Sequence, residues 1–119
     1  MVSLAALQAR EAKAKRAKAN KTPLEREVEK PVKDYARSKG FYVRKFKSQN
    51  NRSVPDDIFA TPIGRVFFVE FKRPKKEPTP AQLDEHDIMR KNNLDVYVID
   101  NVEAGKRLID KQLDEDAWY

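Results

Sequence analysis

Residues Pro55 to Lys72 read PDDIFATPIGRVFFVEFK, and the rest of the fold is built around them. Two runs of apolar residues flank a turn at 61–64, which predicts a hairpin with strands over 56–60 and 65–72. In the second strand, positions 66, 68, 70 and 72 share one face and positions 67, 69 and 71 share the other. Both faces are largely apolar, as in a central strand covered on two sides. Glu70 and Lys72 are therefore costly to bury unless an ionic partner meets them.

Upstream of the hairpin, the pattern predicts a helix and then a strand. Thr22, Pro23 and Glu25 form a helix start with the spacing of a capping box, and apolar residues then recur at helical spacing as far as Gly40. Pro31 interrupts this pattern, so we expect a kink or a late start near it. Residues 41–46 alternate like a half-buried strand.

Downstream, residues 79–92 begin with the same pattern of a helix start and are predicted to form a helix. Residues 95–99 are predicted to form a short strand, and Asn101 can cap a last helix. A strand that follows a crossover helix pairs in parallel with the sheet. The fold class is therefore predicted as α/β, with an αβββαβ core and a mixed central sheet flanked by helices.

Length and composition bound the class of protein. The chain has 119 residues, enough for one domain and a tail. No stretch approaches the roughly 20 apolar residues of a membrane span, and the start lacks the apolar core of a secretory signal. We therefore expect a soluble, intracellular protein, in the bacterial cytoplasm if it is phage-encoded. The absence of cysteine excludes disulfides, thiolate catalysis and cysteine-based zinc sites, and a single histidine excludes a multi-histidine site.

The net charge of +6 indicates an anionic partner, and five of those charges lie in residues 1–22. We divide the chain into a basic arm (1–21), a folded domain (22–113) and an acidic tail (114–119). The arm is either a nucleic-acid contact or a solvated tail. Basic residues also flank the hairpin on both sides, and we predict that they contact phosphates: Arg44, Lys45, Arg52, Arg73, Lys75 and Lys76.

Two carboxylates can meet at one edge of the predicted sheet. Asp56 begins one strand and Glu70 lies near the end of its partner, where like charges about 4 Å apart repel by roughly 4 kcal/mol at an effective dielectric near 20. A bound cation removes that repulsion, and a few carboxylates completed by water and phosphate suit Mg²⁺ or Mn²⁺. Lys72 shares the face of Glu70 and would stand beside the metal.

These residues carry a family resemblance. Over roughly residues 22–113 the chain resembles the PD-(D/E)xK nuclease superfamily, and most closely its virus-type replication-repair nuclease (VRR-NUC) domains. The family's motifs fall on Glu25, Pro55-Asp56, Glu70-Phe71-Lys72, Gln82 and His86. The chain departs from the family in having Ser53 two residues before Pro-Asp, where glycine is frequent, and an additional Asp57.

The resemblance implies the roles of these residues. Asp56, Glu70 and the backbone carbonyl of Phe71 would bind Mg²⁺ or Mn²⁺, with Glu25 as a supporting metal residue. Lys72 would be the catalytic lysine, and Gln82 would support the site. It further implies a restriction-endonuclease-like fold, a metal-dependent DNA endonuclease, branched DNA such as a Holliday junction as substrate, and a homodimer. The rival function is a non-catalytic DNA-binding module on the same fold.

The residues themselves leave several alternatives open. Asp56 and Asp57 face opposite sides of a strand, so only one can share the face of Glu70; the motif favours Asp56, with Asp57 solvated or hydrogen-bonded. Glu70 and Lys72 could be a merely structural ion pair. Glu25 could simply cap its helix. Gln82 could cap its helix and also belong to the site, because the two roles are compatible. His86 could be a half-buried residue beside the site or a catalytic base.

Overall fold

A computed structural model describes residues 24–119, and the predicted basic arm lies outside this part. The described residues form three helices and four strands in the predicted order, and the third helix ends the fold. These elements are α1 (Glu25–Ser38), β1 (Tyr42–Lys45), β2 (Asp57–Ala60), β3 (Val66–Phe71), α2 (Pro80–Lys91), β4 (Val96–Ile99) and α3 (Val102–Asp116). The α/β class predicted from the sequence is confirmed.

The four strands form one sheet in the order β1-β2-β3-β4. The first two pairings are antiparallel, whereas β3 and β4 run parallel because α2 carries the chain across the sheet. The β2–β3 turn closes with a 2.8 Å hydrogen bond from the Gly64 N–H to the Thr61 carbonyl. Gly64 has φ of 91°, a left-handed conformation that favours glycine. The mixed sheet is thus built around the predicted hairpin.

The two faces of β3 pack against different layers, as its alternation predicts. Phe67, Val69 and Phe71 lie in a core that includes Val32 of α1 and Ile109 of α3. On the opposite face, a smaller cluster joins Phe68 to Met89 of α2 and Val96 of β4. Glu70 alternates onto this second face and is almost completely buried. The sheet therefore separates the α1–α3 layer from the α2 layer, and the buried acid belongs to the latter.

The start of α1 differs from its prediction. The helix begins at Glu25, with Leu24 as an N-cap that provides no side-chain hydrogen bond, and Thr22 and Pro23 lie outside the described residues. It also continues through Pro31, so the predicted late start is wrong. Burial of Val28 and Val32 on either side of the proline, each worth roughly 1.5–3 kcal/mol, offsets the backbone hydrogen bond that proline deletes.

The end of α3 extends three residues into the predicted acidic tail. Arg65, the residue before β3, donates from Nε to Asp116 Oδ1 over 2.9 Å and from Nη2 to the Gln112 carbonyl over 2.6 Å. The guanidinium thus satisfies a carbonyl and a carboxylate in the last turns of the helix, where a positive charge is also favoured by the helix dipole. This contact over long sequence separation explains why the helix continues to Asp116.

The helix α2 buries fewer residues than its apolar pattern predicts. Leu83 and Ile88, which we expected on the apolar side, are 49% and 55% exposed, whereas His86 and Met89 are buried. The buried positions are three residues apart on one face, and Leu83 and Ile88 lie to either side of it.

None of the helices in residues 24–119 has both the length and the apolar character that a membrane span requires.

Candidate active site

Strand register places the two predicted metal-binding acids side by side. Asp57 pairs with Val69 and Ile58 with Phe68, so the preceding residue, Asp56, is level with Glu70. Asp56 Oδ2 accepts a 2.7 Å hydrogen bond from the backbone N–H of Phe71. In an antiparallel ladder a residue's N–H and C=O point toward the same neighbouring strand, so the Phe71 carbonyl is also directed toward the side of Asp56.

Glu70 is the most deeply buried acid of the site, with 1% of the residue exposed. Its Oε2 lies 3.7 Å from Lys72 Nζ and accepts a 3.3 Å hydrogen bond from Gln82 Nε2. Burial and the neighbouring charge of Asp56 raise the pKa of Glu70 to about 8 despite the opposing charge of Lys72. Glu70 Oε1 has no hydrogen-bond partner among the described residues. One oxygen of a buried carboxyl is therefore left for a further ligand.

Gln82 both caps its helix and contacts Glu70. Its backbone N–H donates to the side chain of Thr79 over 3.2 Å, and its Oε1 accepts from the backbone N–H of Thr79 over 2.9 Å, which completes a capping box. Its Nε2 remains to donate to Glu70. The capping box thus holds the Gln82 amide in the orientation that supports the carboxylate.

His86 lies one turn after Gln82 and is completely buried rather than half-buried. Its Nε2 is 3.6 Å from Glu70 Oε1, beyond hydrogen-bonding distance. Burial, together with the positive charges of Arg90 and Lys72, lowers the pKa of His86, so the imidazole is neutral at pH 7. Neither ring nitrogen has a hydrogen-bond partner among residues 24–119. A neutral imidazole here lines the site beside Glu70.

Glu25, the first residue of α1, approaches the site from the other side of the sheet edge. Its pKa is raised by partial burial and then by the negative charge of Asp56, whereas Lys72 opposes the shift. Its carboxylate therefore lies within electrostatic range of both residues. Glu29, the other acid that could have faced inward, is engaged elsewhere.

Asp57 and Glu29 form a separate ionic cluster in the α1 layer. Asp57 is fully buried and accepts a 3.0 Å hydrogen bond from Lys33, while Glu29 pairs with Lys33 at 3.3 Å and with Lys45 at 2.7 Å. Burial and the neighbouring Glu29 carboxylate raise the pKa of Asp57 to about 7. Burial also opposes ionisation of Glu29, but its ion pairs with Lys45 and Lys33 lower its pKa to about 2. Asp57 therefore belongs to a structural cluster, whereas Asp56 faces Glu70.

This cluster was not predicted from the sequence. The spacing of Glu29 and Lys33 is a recognisable helical ion pair, and strand parity sends Asp57 away from Glu70. Neither signal shows that the two converge, because their contact depends on how α1 packs on the sheet. Lys45, predicted only as a DNA contact, is the residue that joins this cluster to the surface.

The predicted DNA-contacting residues lie on two sides of the candidate site. On the β1 side, Lys45, Arg52 and Asp56 line a cavity of about 400 Å³. Arg44 does not line this cavity, and its guanidinium carbon lies 4.4 Å from the centre of the Tyr42 ring. Beyond β3, the exposed basic side chains follow Lys72 directly in the chain: Arg73, Lys75 and Lys76.

The donor atoms suit a hard divalent cation. Asp56 and Glu70 offer carboxylate oxygens, Phe71 offers a carbonyl, and Glu70 Oε1 is unsatisfied among the described residues. No group of three or more acidic, histidine or cysteine side chains converges as a complete metal cage in residues 24–119. Mg²⁺ does not require such a cage, because it keeps several waters and binds through one or two carboxylates plus substrate phosphates. The residues therefore fit Mg²⁺ or Mn²⁺.

The fold and this cluster are those of restriction-endonuclease-like nuclease domains. A protein called "Putative nuclease p44", from Acyrthosiphon pisum secondary endosymbiont phage 1, is 39% identical over 81 residues, which are 68% of this chain and 87% of that protein. A solved structure described as a VRR_NUC domain is 32% identical and matches with a TM-score of 0.67 over 72% of this chain and 94% of its own. No protein-family model matches the sequence.

The chain belongs to the VRR-NUC family. This conclusion rests on sequence identity above 30% and coverage of nearly the whole solved domain. It confirms the resemblance drawn from the Pro-Asp and Glu-x-Lys motifs of the hairpin.

Proposed function

We propose that this protein is a Mg²⁺- or Mn²⁺-dependent endonuclease that hydrolyses DNA phosphodiester bonds. The observation that carries the proposal is the convergence of Asp56, Glu70 and Lys72 at one sheet edge, with an unsatisfied Glu70 oxygen. A catalytic cluster explains why the chain buries these charges, because a buried ion pair by itself contributes little stability. The nuclease named among the relatives supports the same reaction class.

Asp56, Glu70 and the Phe71 carbonyl would hold the cation. When bound, it would activate water for attack at phosphorus and offset charge on the phosphate. The Phe71 N–H orients Asp56, and the Gln82 amide orients Glu70. A backbone group of β3 and a side chain of α2 thus hold the two acids in place before substrate binds, which lowers the cost of organising the site.

Lys72 is the residue that we assign to the substrate. Its ammonium lies 3.7 Å from Glu70 Oε2 and is 7% exposed, so its position is held by burial as well as by charge. From there it would donate a hydrogen bond to a phosphate oxygen or to the attacking water as charge develops. Loss of one such donor typically costs about 10²- to 10³-fold in rate.

The test is a cleavage panel of four-way junctions, flaps and linear duplex, each with Mg²⁺ and with Mn²⁺. Lys72→Ala should abolish detectable cleavage while DNA binding persists. Lys91→Ala is the matched control, because Lys91 is exposed on α2 and pairs with Asp87 there. Wild-type protein that binds these DNAs but cuts none of them would refute the proposal and favour a non-catalytic binding module.

We also propose selectivity for branched DNA and a homodimeric state, both from the family resemblance. Two active sites related by a twofold axis would suit a junction with paired strands to cut. Light scattering should then give twice the chain mass, and the panel should show faster cleavage of four-way junctions than of linear duplex. A monomer, or equal rates on both DNAs, would contradict this part alone.

A further inference from the structure

Four basic side chains follow one side of α1. Arg26, Lys30, Lys33 and Arg37 are spaced four, three and four residues apart. At 3.6 residues per turn they fall within an arc of about 60° and extend over roughly 16 Å of helix. The side that they occupy is a stripe of positive charge along the helix axis, which we call the α1 stripe.

The α1 stripe forms the wall of a groove. Its four residues and Lys45 of β1 line a cavity of about 400 Å³. The remaining lining residues are Glu29 and Asp34, and both are already matched, by Lys45 at 2.7 Å and by Lys30 at 2.7 Å. Asp57, buried behind the groove, also pairs with Lys33 at 3.0 Å. Five cations against these three acids still leave the groove with an excess of positive charge.

The groove is continuous with the candidate active site through Lys45. The same lysine lines the second cavity, which contains Asp56 and Arg52. The N-terminal end of α1 lies at the site too, since the charge of Asp56 contributes to the raised pKa of Glu25. The α1 stripe therefore begins at the catalytic end of the sheet and leads away from it.

We propose that the α1 groove binds the backbone phosphates of a duplex DNA arm that flanks the cleaved bond, an inference that rests on the proposed function. All of its lining residues are charged, which suits phosphates, because backbone contacts come from such side chains and carry no sequence information. A docked protein segment would instead need apolar anchors. At 3.4 Å per base pair, the α1 stripe spans about five base pairs.

The test compares two double variants that remove the same charge. Arg26→Gln/Lys30→Gln alters two exposed positions one turn apart in the α1 stripe, and Arg107→Gln/Lys111→Gln alters two exposed positions one turn apart on α3. Binding of a labelled duplex is followed by fluorescence anisotropy across a salt series, with Ca²⁺ in place of Mg²⁺. Each lost phosphate contact reduces the slope of log K against log salt by about 0.9.

We expect the α1 variant to lower that slope by about 2 and the α3 variant to leave it near the wild-type value. The difference should disappear when the duplex on one side of the cleaved bond is shortened by about five base pairs. Equal slopes for the two variants, or an α1 defect that persists on every shortened DNA, would overturn the inference. Because binding is measured without cleavage, an inactive wild type would refute the proposed function and leave this comparison intact.

Discussion

The most direct prediction concerns which of two adjacent acids holds the cation. Asp56→Asn should abolish the rise in melting temperature that Mn²⁺ produces in the wild type, and Asp57→Asn should not. The two substitutions remove the same charge from neighbouring positions. They differ in direction, since Asp56 is level with Glu70 whereas Asp57 contacts Lys33 in the α1 layer.

The size of the effect follows from linkage. A cation present at ten times its dissociation constant stabilises the folded state by about 1.4 kcal/mol. In a domain of this size that corresponds to a rise of roughly 5–10 °C. Asp56→Asn removes one of two carboxylates from the site, so we expect this rise to fall to within error.

The cation-free baselines should separate the variants as well. Asn at position 56 keeps an oxygen for the Phe71 N–H and removes a charge that repels Glu70, so the melting temperature in EDTA should stay level or increase. Asp57→Asn removes one of the two carboxylates that pair with Lys33, whose side chain is 13% exposed, and should lower the free energy of unfolding in EDTA by about 1–3 kcal/mol.

Calorimetric melting with EDTA, Mg²⁺ or Mn²⁺ measures both quantities on the same samples. The reasoning is refuted if Asp56→Asn keeps the full Mn²⁺ response, because the cation then lies elsewhere. It is equally refuted if Asp57→Asn loses the response while still melting cooperatively.

Two further predictions concern packing and pH. A Cβ at Gly105 would clash with both γ-carbons of Val32, so Gly105→Ala should destabilise the fold by about 1–3 kcal/mol. Denaturant unfolding should show that Gly105→Ala costs much less in a Val32→Ala background, and additive losses would contradict the contact. The folded-state pKa of Glu70 is about 8 against an ordinary value of 4.5, so the folded state binds more protons between these values and stability in EDTA should decrease as pH rises through that range. Glu70→Gln should flatten this decrease, and an identical pH dependence in Glu70→Gln and wild type would show that Glu70 is not its source.

The hairpin and the two faces of its second strand follow from the sequence alone. Alternation in β3 separates Phe67, Val69 and Phe71 from Phe68 and Glu70 whatever packs on either side, because successive side chains of a strand point to opposite faces. The helix starts at Thr79 and Asn101 were equally local, since each cap uses a side chain within three residues of the N–H that it accepts from.

The end of α3 and the continuity of α1 depend on contacts over long sequence separation, so they could not be predicted from the sequence. Residues 114–116 are helical because Arg65 reaches Asp116 and Gln112. The continuous helix through Pro31 depends on valines that α1 buries against the sheet and α3. Local propensity contains no information about either partner.

The same distinction applies to the candidate site. The candidates Asp56, Glu70, Lys72 and Gln82 came from the family's motifs, and the strand and helix patterns of the sequence place each of them near the end of an element. The cluster of Asp57 with Glu29, Lys33 and Lys45, and the groove along α1, could not. Both arise where a helix packs across two strands, and only the folded arrangement brings those charges together.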